Sequence, residues 1–208
     1  MSIQAVIFDF GGVILAPLGQ EHLHMWARRL GFAPAALAEA LWGAAWHALE
    51  KGEIDTVAYN RRLARALRLP DAEAVERFIT AFYADERLYP EMLDLIARLR
   101  RGGRVKLALL TNAFVGHAEV MQRKWGLDPR QMFDVYINSA EVGMAKPDPA
   151  IFELTLARLS VPPGAAIFID DGAPNVAAAA RLGLHTIHFD GPESLQRVVA
   201  EVERLVRL

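Results

Sequence analysis

Five strand-length apolar runs, set between stretches of helical periodicity, constrain this chain more than any other feature. They are Ile3 to Phe8, Val105 to Leu110, Phe133 to Ile137, Ala166 to Ile169 and Leu184 to His188. Most are apolar throughout, as strands covered on both faces tend to be. Between and after them, Met92, Leu95, Ile96 and Leu99 repeat at helical spacing, as do Leu195, Val198, Val199, Val202, Leu205 and Val206. Strand and helix alternation predicts an α/β fold: a Rossmann-like parallel sheet with right-handed crossovers and helices on both faces.

The interval between the first two runs breaks the rhythm. Ala16 to Leu88 holds no convincing strand and reads as several helices, with boundaries at Gly31-Phe32-Ala33-Pro34, Lys51-Gly52-Glu53 and Leu69-Pro70-Asp71. We expect an inserted all-helical cap domain over residues 16–88 and a catalytic core made of 1–15 and 89–208. The insertion departs just after Asp9 and returns near Tyr89-Pro90-Glu91. It would therefore stand beside the sheet edge that carries the acid, as a lid does.

A length of 208 residues suits one core with a modest insertion. With 23 basic and 25 acidic residues the formal charge is -2, so no basic field points to nucleic acid or to an anionic membrane. Small-molecule partners are expected, and both monomer and homodimer remain open. The absence of cysteine excludes disulfides, thiolate metal sites and a cysteine nucleophile. The six histidines show no pair at ligand spacing on a plausible helix face, which argues against zinc. The start MSIQAVIF has neither a charged leader nor a cleavage site, and no apolar run approaches the ~20 residues of a membrane span. A cytoplasmic protein is expected.

Parallel strand ends converge on one edge of a sheet, and here they carry polar residues. Asp9 ends the first run, Thr111-Asn112 follows VKLALL, Lys146 sits in EVGMAKPDP, and Asp170-Asp171 follows AIFI. Singly, each has an ordinary structural explanation as a turn, a solvated charge or a helix cap. Together, three carboxylates and a lysine would bind a divalent cation beside an oxyanion. Mg²⁺ favours one or two carboxylates with waters and phosphate oxygens. The Thr111 hydroxyl, the Asn112 amide, the Lys146 charge and backbone N–H groups loosened by Gly11 and Gly12 suit phosphate.

In this order and spacing the residues resemble the haloacid dehalogenase superfamily of aspartate-nucleophile hydrolases, over nearly the whole chain. IFDFGGV is similar to the family's first motif, LLTN to the second, the lysine of AKPDPAIF to the third and FIDDGAPN to the acidic fourth. The insertion resembles that of the small helical-cap subfamily, which includes sugar-1-phosphatases. The resemblance implies a Mg²⁺-dependent phosphatase for a small phosphorylated metabolite such as a sugar phosphate. It implies that Asp9 attacks phosphorus to form an aspartyl-phosphate, kept ionised by Lys146 and Mg²⁺. Thr111, Asn112, Lys146 and Gly12 would hold the phosphoryl group. Asp9, the Gly11 carbonyl, Asp171 and, directly or through water, Asp170 would hold the metal. Asn175 would orient a metal-bound water or a neighbouring carboxylate.

One position departs from the pattern. Phosphatases of this family generally have a second aspartate two residues after the nucleophile, as general acid and base, and here Gly11 stands in its place. Four readings follow. Substrates with activated leaving groups, such as anomeric phosphates, need little protonation. A histidine of the insertion, His22, His24 or His47, could lend the proton. Dehalogenases and carbon-phosphorus hydrolases also lack the second aspartate; the latter use a cap lysine, for which Lys51 is available, and the former do without metal, so Asp170-Asp171 argues for phosphate chemistry. A weakly active phosphate-binding module is the fourth. Trp42 and Trp46, at helical spacing, read as packing residues of the insertion, and Lys51-Gly52-Glu53 as the loop to watch for specificity.

Overall fold

The computed structural model describes residues 2–207. Strand β1 (Ala5–Phe8) is followed by five helices: α1 (Gln20–Leu30), α2 (Pro34–Trp42), α3 (Ala44–Glu50), α4 (Thr56–Leu67) and α5 (Ala72–Phe82). The chain then alternates through α6 (Pro90–Gly102), β2 (Lys106–Thr111), α7 (His117–Trp125), the short α8 (Pro129–Met132) and β3 (Val135–Asn138). The short α9 (Ser139–Val142), α10 (Pro149–Leu159), β4 (Ala166–Asp170), α11 (Ala173–Arg181), β5 (His185–His188) and α12 (Leu195–Val206) complete it. The five strands form one parallel sheet in the order β3-β2-β1-β4-β5.

Alternating side chains of the central strands feed two separate cores, as the period-2 geometry of a strand demands. Val6, Phe8, Leu107, Leu109, Ile167 and Ile169 face α6 and α12, whose apolar stripes are the two repeats seen in the sequence. Ala5, Ile7, Ala108, Leu110 and Phe168 face α10 and α11. The expected α/β architecture with helices on both faces is therefore present. Strand β3 starts at Val135, two residues later than its apolar run suggests. Phe133 closes α8 with its N–H on the Pro129 carbonyl, and the Asp134 side chain accepts from the Leu107 N–H.

Helices α1 to α5 pack around a cluster of their own, with Trp26, Leu37, Leu41, Leu63, Val75, Phe78 and Phe82 buried. Their boundaries follow local chemistry. Gly31 ends α1 in the left-handed region, and Asp55 and Asp71 cap α4 and α5 by accepting the N–H of Ala58 and Ala74, both at 2.7 Å. The outgoing and returning segments run side by side: Leu15 bridges Leu88 antiparallel, Ala16 N–H donates to Arg87 at 2.8 Å, and Tyr89 N–H to Ile14 at 2.9 Å. Beyond this joint the insertion meets the core through Trp46 against Phe114, and through Lys124 Nζ on the Tyr83 carbonyl at 2.6 Å. Gly52, at φ +71°, lies against the Ala140 carbonyl with no room for a Cβ. Among the described residues no helix is long and apolar enough to cross a membrane.

Candidate active site

The sheet brings the sequence-predicted residues to its carboxyl edge. Asp9 follows β1, Thr111 ends β2, Asp170 ends β4 with Asp171 next to it, and Lys146 enters from the loop before α10. Lys146 lies between two carboxylates, its Nζ 2.7 Å from Asp9 Oδ1 and 2.6 Å from Asp170 Oδ2. All three groups are buried, and so is Thr111. Asp9 Oδ1 also accepts the Phe10 N–H at 2.7 Å. With Oδ1 held twice, Oδ2 is the oxygen left for chemistry.

Each member is fixed by neighbours. Asp170 Oδ1 accepts from Gly172 N–H at 2.7 Å and from Asn175 Nδ2 at 2.9 Å, so Asn175 does orient a carboxylate of the cluster. Asn112 forms a reciprocal pair with the backbone of Lys146: Nδ2 donates to the Lys146 carbonyl and Lys146 N–H donates to Oδ1, both at 2.9 Å. An asparagine amide has two hydrogens, and only the second remains for an anion. Its observed work is to hold the lysine's loop. Two supporting residues escaped the sequence reading. Ser139 Oγ accepts the Ala113 N–H at 2.9 Å and Asn138 Nδ2 donates to the Phe114 carbonyl at 2.8 Å, tying down the loop after Thr111. The polar pair Asn138-Ser139 at the end of a strand run was the available signal.

Burial dominates the electrostatics of the nucleophile candidate. It pushes the Asp9 carboxyl up to about 7, with Lys146 opposing and Asp170 and Asp171 adding to the rise. Burial thus works against the ionised form that Lys146 favours on Asp9. For Lys146, burial favours the neutral amine, but the charges of Asp9 and Asp170 overcome it and hold the ammonium above its usual range. The asymmetry is reasonable: the lysine faces two carboxylates, whereas Asp9 shares one lysine with two other acids. Asp171 is raised by burial and by Asp170, against Lys146.

Asp9, Asp170 and Asp171 each present an oxygen, all within 4.8 Å of one another. An all-oxygen donor set of this kind fits a hard divalent cation such as Mg²⁺, and positive charge there would offset the burial and the neighbouring carboxylates that raise Asp9 and Asp171. The adjoining glycines differ sharply. Gly12 has φ +80°, and a Cβ on it would overlap the Asp171 carboxylate, so only glycine brings this turn close to the acid. A Cβ on Gly11 would have no atom within 4 Å.

The description of haloacid dehalogenase-like hydrolases, as a sequence family, matches residues 3–183. The chain belongs to this family. It is 34% identical to mouse acyl-CoA dehydrogenase family member 10, over 99% of this chain but only 19% of that protein's length. It is 32% identical to a phosphoserine phosphatase of Thermus thermophilus, over 79% of this chain and 67% of that one. In structure it is similar to a haloacid dehalogenase family enzyme of Bacteroides thetaiotaomicron solved with magnesium and inorganic phosphate, with TM-score 0.73, 23% identity and coverage of 90% and 94%. That likeness shows the fold.

The remaining candidates separate as follows. Trp46 packs in the insertion, against Tyr59, and reaches Phe114. Trp42 packs edge-on against Phe82 while part of its ring reaches the surface, and its Nε1 donates to the Tyr83 hydroxyl at 3.2 Å. Lys51 is exposed.

Proposed function

We propose that the chain is a Mg²⁺-dependent phosphomonoester hydrolase for a small phosphorylated metabolite, working through an aspartyl-phosphate on Asp9. The observation that carries this reading is the buried Asp9–Lys146–Asp170 array with Asp171 beside it. The magnesium-and-phosphate complex of the Bacteroides enzyme and the activity named for the Thermus relative support it. A dehalogenase would leave the acidic cluster without work.

Asp9 Oδ2 attacks phosphorus, and the bond from phosphorus to the leaving oxygen breaks. Water then attacks the aspartyl-phosphate, releasing inorganic phosphate and restoring Asp9. Lys146 balances the charge of Asp9 and of the phosphoryl oxygens, which the Thr111 hydroxyl, the Gly12 N–H and the free Asn112 hydrogen also hold. Asp9, Asp171 and the Gly11 carbonyl hold the cation, with Asp170 acting directly or through water. When bound, Mg²⁺ supplies the charge that ionises Asp9 and neutralises the transferring group. The helices of residues 16–88 serve as the cap that excludes water. Because Gly11 supplies no acid, esters of good leaving groups, such as anomeric phosphates, are the substrates that depend least on a proton from elsewhere in the molecule.

The test is hydrolysis of 4-nitrophenyl phosphate and of a panel of sugar phosphates, with Mg²⁺ and with EDTA. Turnover should require the metal and fall at least ~10³-fold in Asp9→Asn. Activity persisting under either condition would overturn the mechanism.

A further inference from the structure

The insertion carries three histidines that are candidates for the proton Gly11 cannot supply. Of the three histidines in the insertion, His22 is committed to packing: its Nε2 lies 2.8 Å from the Phe82 carbonyl, its Nδ1 3.9 Å from Asp85, and its ring edge on Phe82. His24 is exposed on α1.

His47 is built differently. Its Nδ1 lies 3.0 Å from Oε1 of Glu50, one turn on along α3, and the side chain of Glu50 is 10% exposed against 64% for His47. A buried carboxylate on one ring nitrogen fixes the imidazole's orientation and tautomer and leaves Nε2 free to exchange a proton. α3 is also the helix that docks on the active edge. Trp46, adjacent to His47, meets Phe114, three residues beyond Thr111, at 6.4 Å between ring centroids. The helix packs on α9 at the end of β3, and Gly52 just past it rests on the Ala140 carbonyl. At roughly 100° per residue, Trp46 and Glu50 share the side of α3 turned to the core, and His47 stands at its margin.

We propose that His47, oriented by Glu50, is the proton donor to the leaving group, a role that rests on the phosphatase reading above. As the Asp9–phosphorus bond forms and the ester bond breaks, the Nε2 proton passes to the departing oxygen. Neutral His47 then takes a proton from the water that attacks the aspartyl-phosphate, which restores it. Glu50 is a positioning residue.

The experiment is steady-state kinetics with Mg²⁺ on phosphomonoesters whose leaving groups run from 4-nitrophenol to simple alkyl alcohols. Loss of a general acid falls hardest on poor leaving groups. His47→Ala should lower kcat/KM on alkyl phosphates by about 10²-fold, and on 4-nitrophenyl phosphate by a much smaller factor. Glu50→Gln should tilt the series in the same direction, less steeply. A uniform loss in both variants, or none, would overturn the assignment. The two readings fail separately: a wild-type enzyme without metal-dependent turnover refutes the phosphatase, whereas an active wild type with flat variant series refutes only His47.

Discussion

The carboxyl edge of the sheet and the helical insertion solve opposite problems. At the edge, Asp9 and Asp170 are buried, each within hydrogen-bond distance of the buried Lys146, and desolvating such charges costs several kcal/mol per ion before pairing offsets it. In the insertion, Trp26, Phe78 and Phe82 pack ring on ring at 5.6 to 5.9 Å, which burial of apolar area stabilises directly. One region holds charge in readiness for a ligand; the other holds itself together. Their stabilities should therefore respond to different agents.

The strongest challenge to that contrast is a pair of substitutions. Lys146→Met strands two buried carboxylates and should destabilise the protein by ~3–5 kcal/mol while abolishing turnover. Phe82→Ala should cost a similar ~3–5 kcal/mol through a cavity. In urea unfolding, saturating Mg²⁺ should recover part of the first loss, because a cation bound only to the folded state takes over charge compensation. It should recover no more of the second than it adds to wild type. Equal recovery in both would mean that the regions are not energetically distinct.

A finer comparison lies between neighbouring glycines. Gly12→Ala sets a methyl group into the Asp171 carboxylate at a strained φ and should abolish cation binding, read by calorimetry. Gly11→Ala points into open space and should leave both the fold and the affinity nearly unchanged.

A last comparison concerns a partly buried ring near the edge. His117 sits edge-on to Phe10 and Phe114, and burial pushes its imidazole down to about 4, from 6.5. Below pH 6.5 the unfolded chain takes up a proton that the folded one refuses. The stability conferred by this neutral ring is thus complete above pH 6.5 and lost as pH falls toward 4. His117→Phe should remove that part of the acid sensitivity, measured as the difference in urea midpoint between pH 7 and pH 4.5; an unchanged difference would exclude His117 as its source.

The edge was readable in the chain because parallel strands must deliver their last residues to one place, so Asp9, Thr111 and Asp170 could be placed by position, whereas Lys146 lies not at a strand end but in the loop between α9 and α10. Residue type did not disclose how they share their bonds. That Asn112 clamps the lysine's backbone, and that Asn138 and Ser139 brace the next loop, depends on which side chains meet across strands 24 to 34 residues apart. The rise of Asp9 to about 7 likewise reflects burial, which a sequence states only indirectly. In the insertion, helix boundaries followed from Gly31, Lys51-Gly52-Glu53 and Leu69-Pro70-Asp71, whereas the Asp55 cap went unnoticed and the His47–Glu50 pair stood at ordinary helical spacing and carried no sign of the carboxylate's burial. The β3 run began too early because Phe133 is apolar for the sake of the core, not of the strand.

The paired segments at Leu15 and Leu88 bear on how such a molecule can change over time. Since the chain leaves and re-enters the core at residues bridged to each other, everything between them can be exchanged for another fold, or trimmed to a tight turn, without shifting a strand of the sheet. The insertion is in that sense a graft: its two ends stay together at Leu15 and Leu88, apart from the sheet that positions Asp9, Thr111 and Asp170.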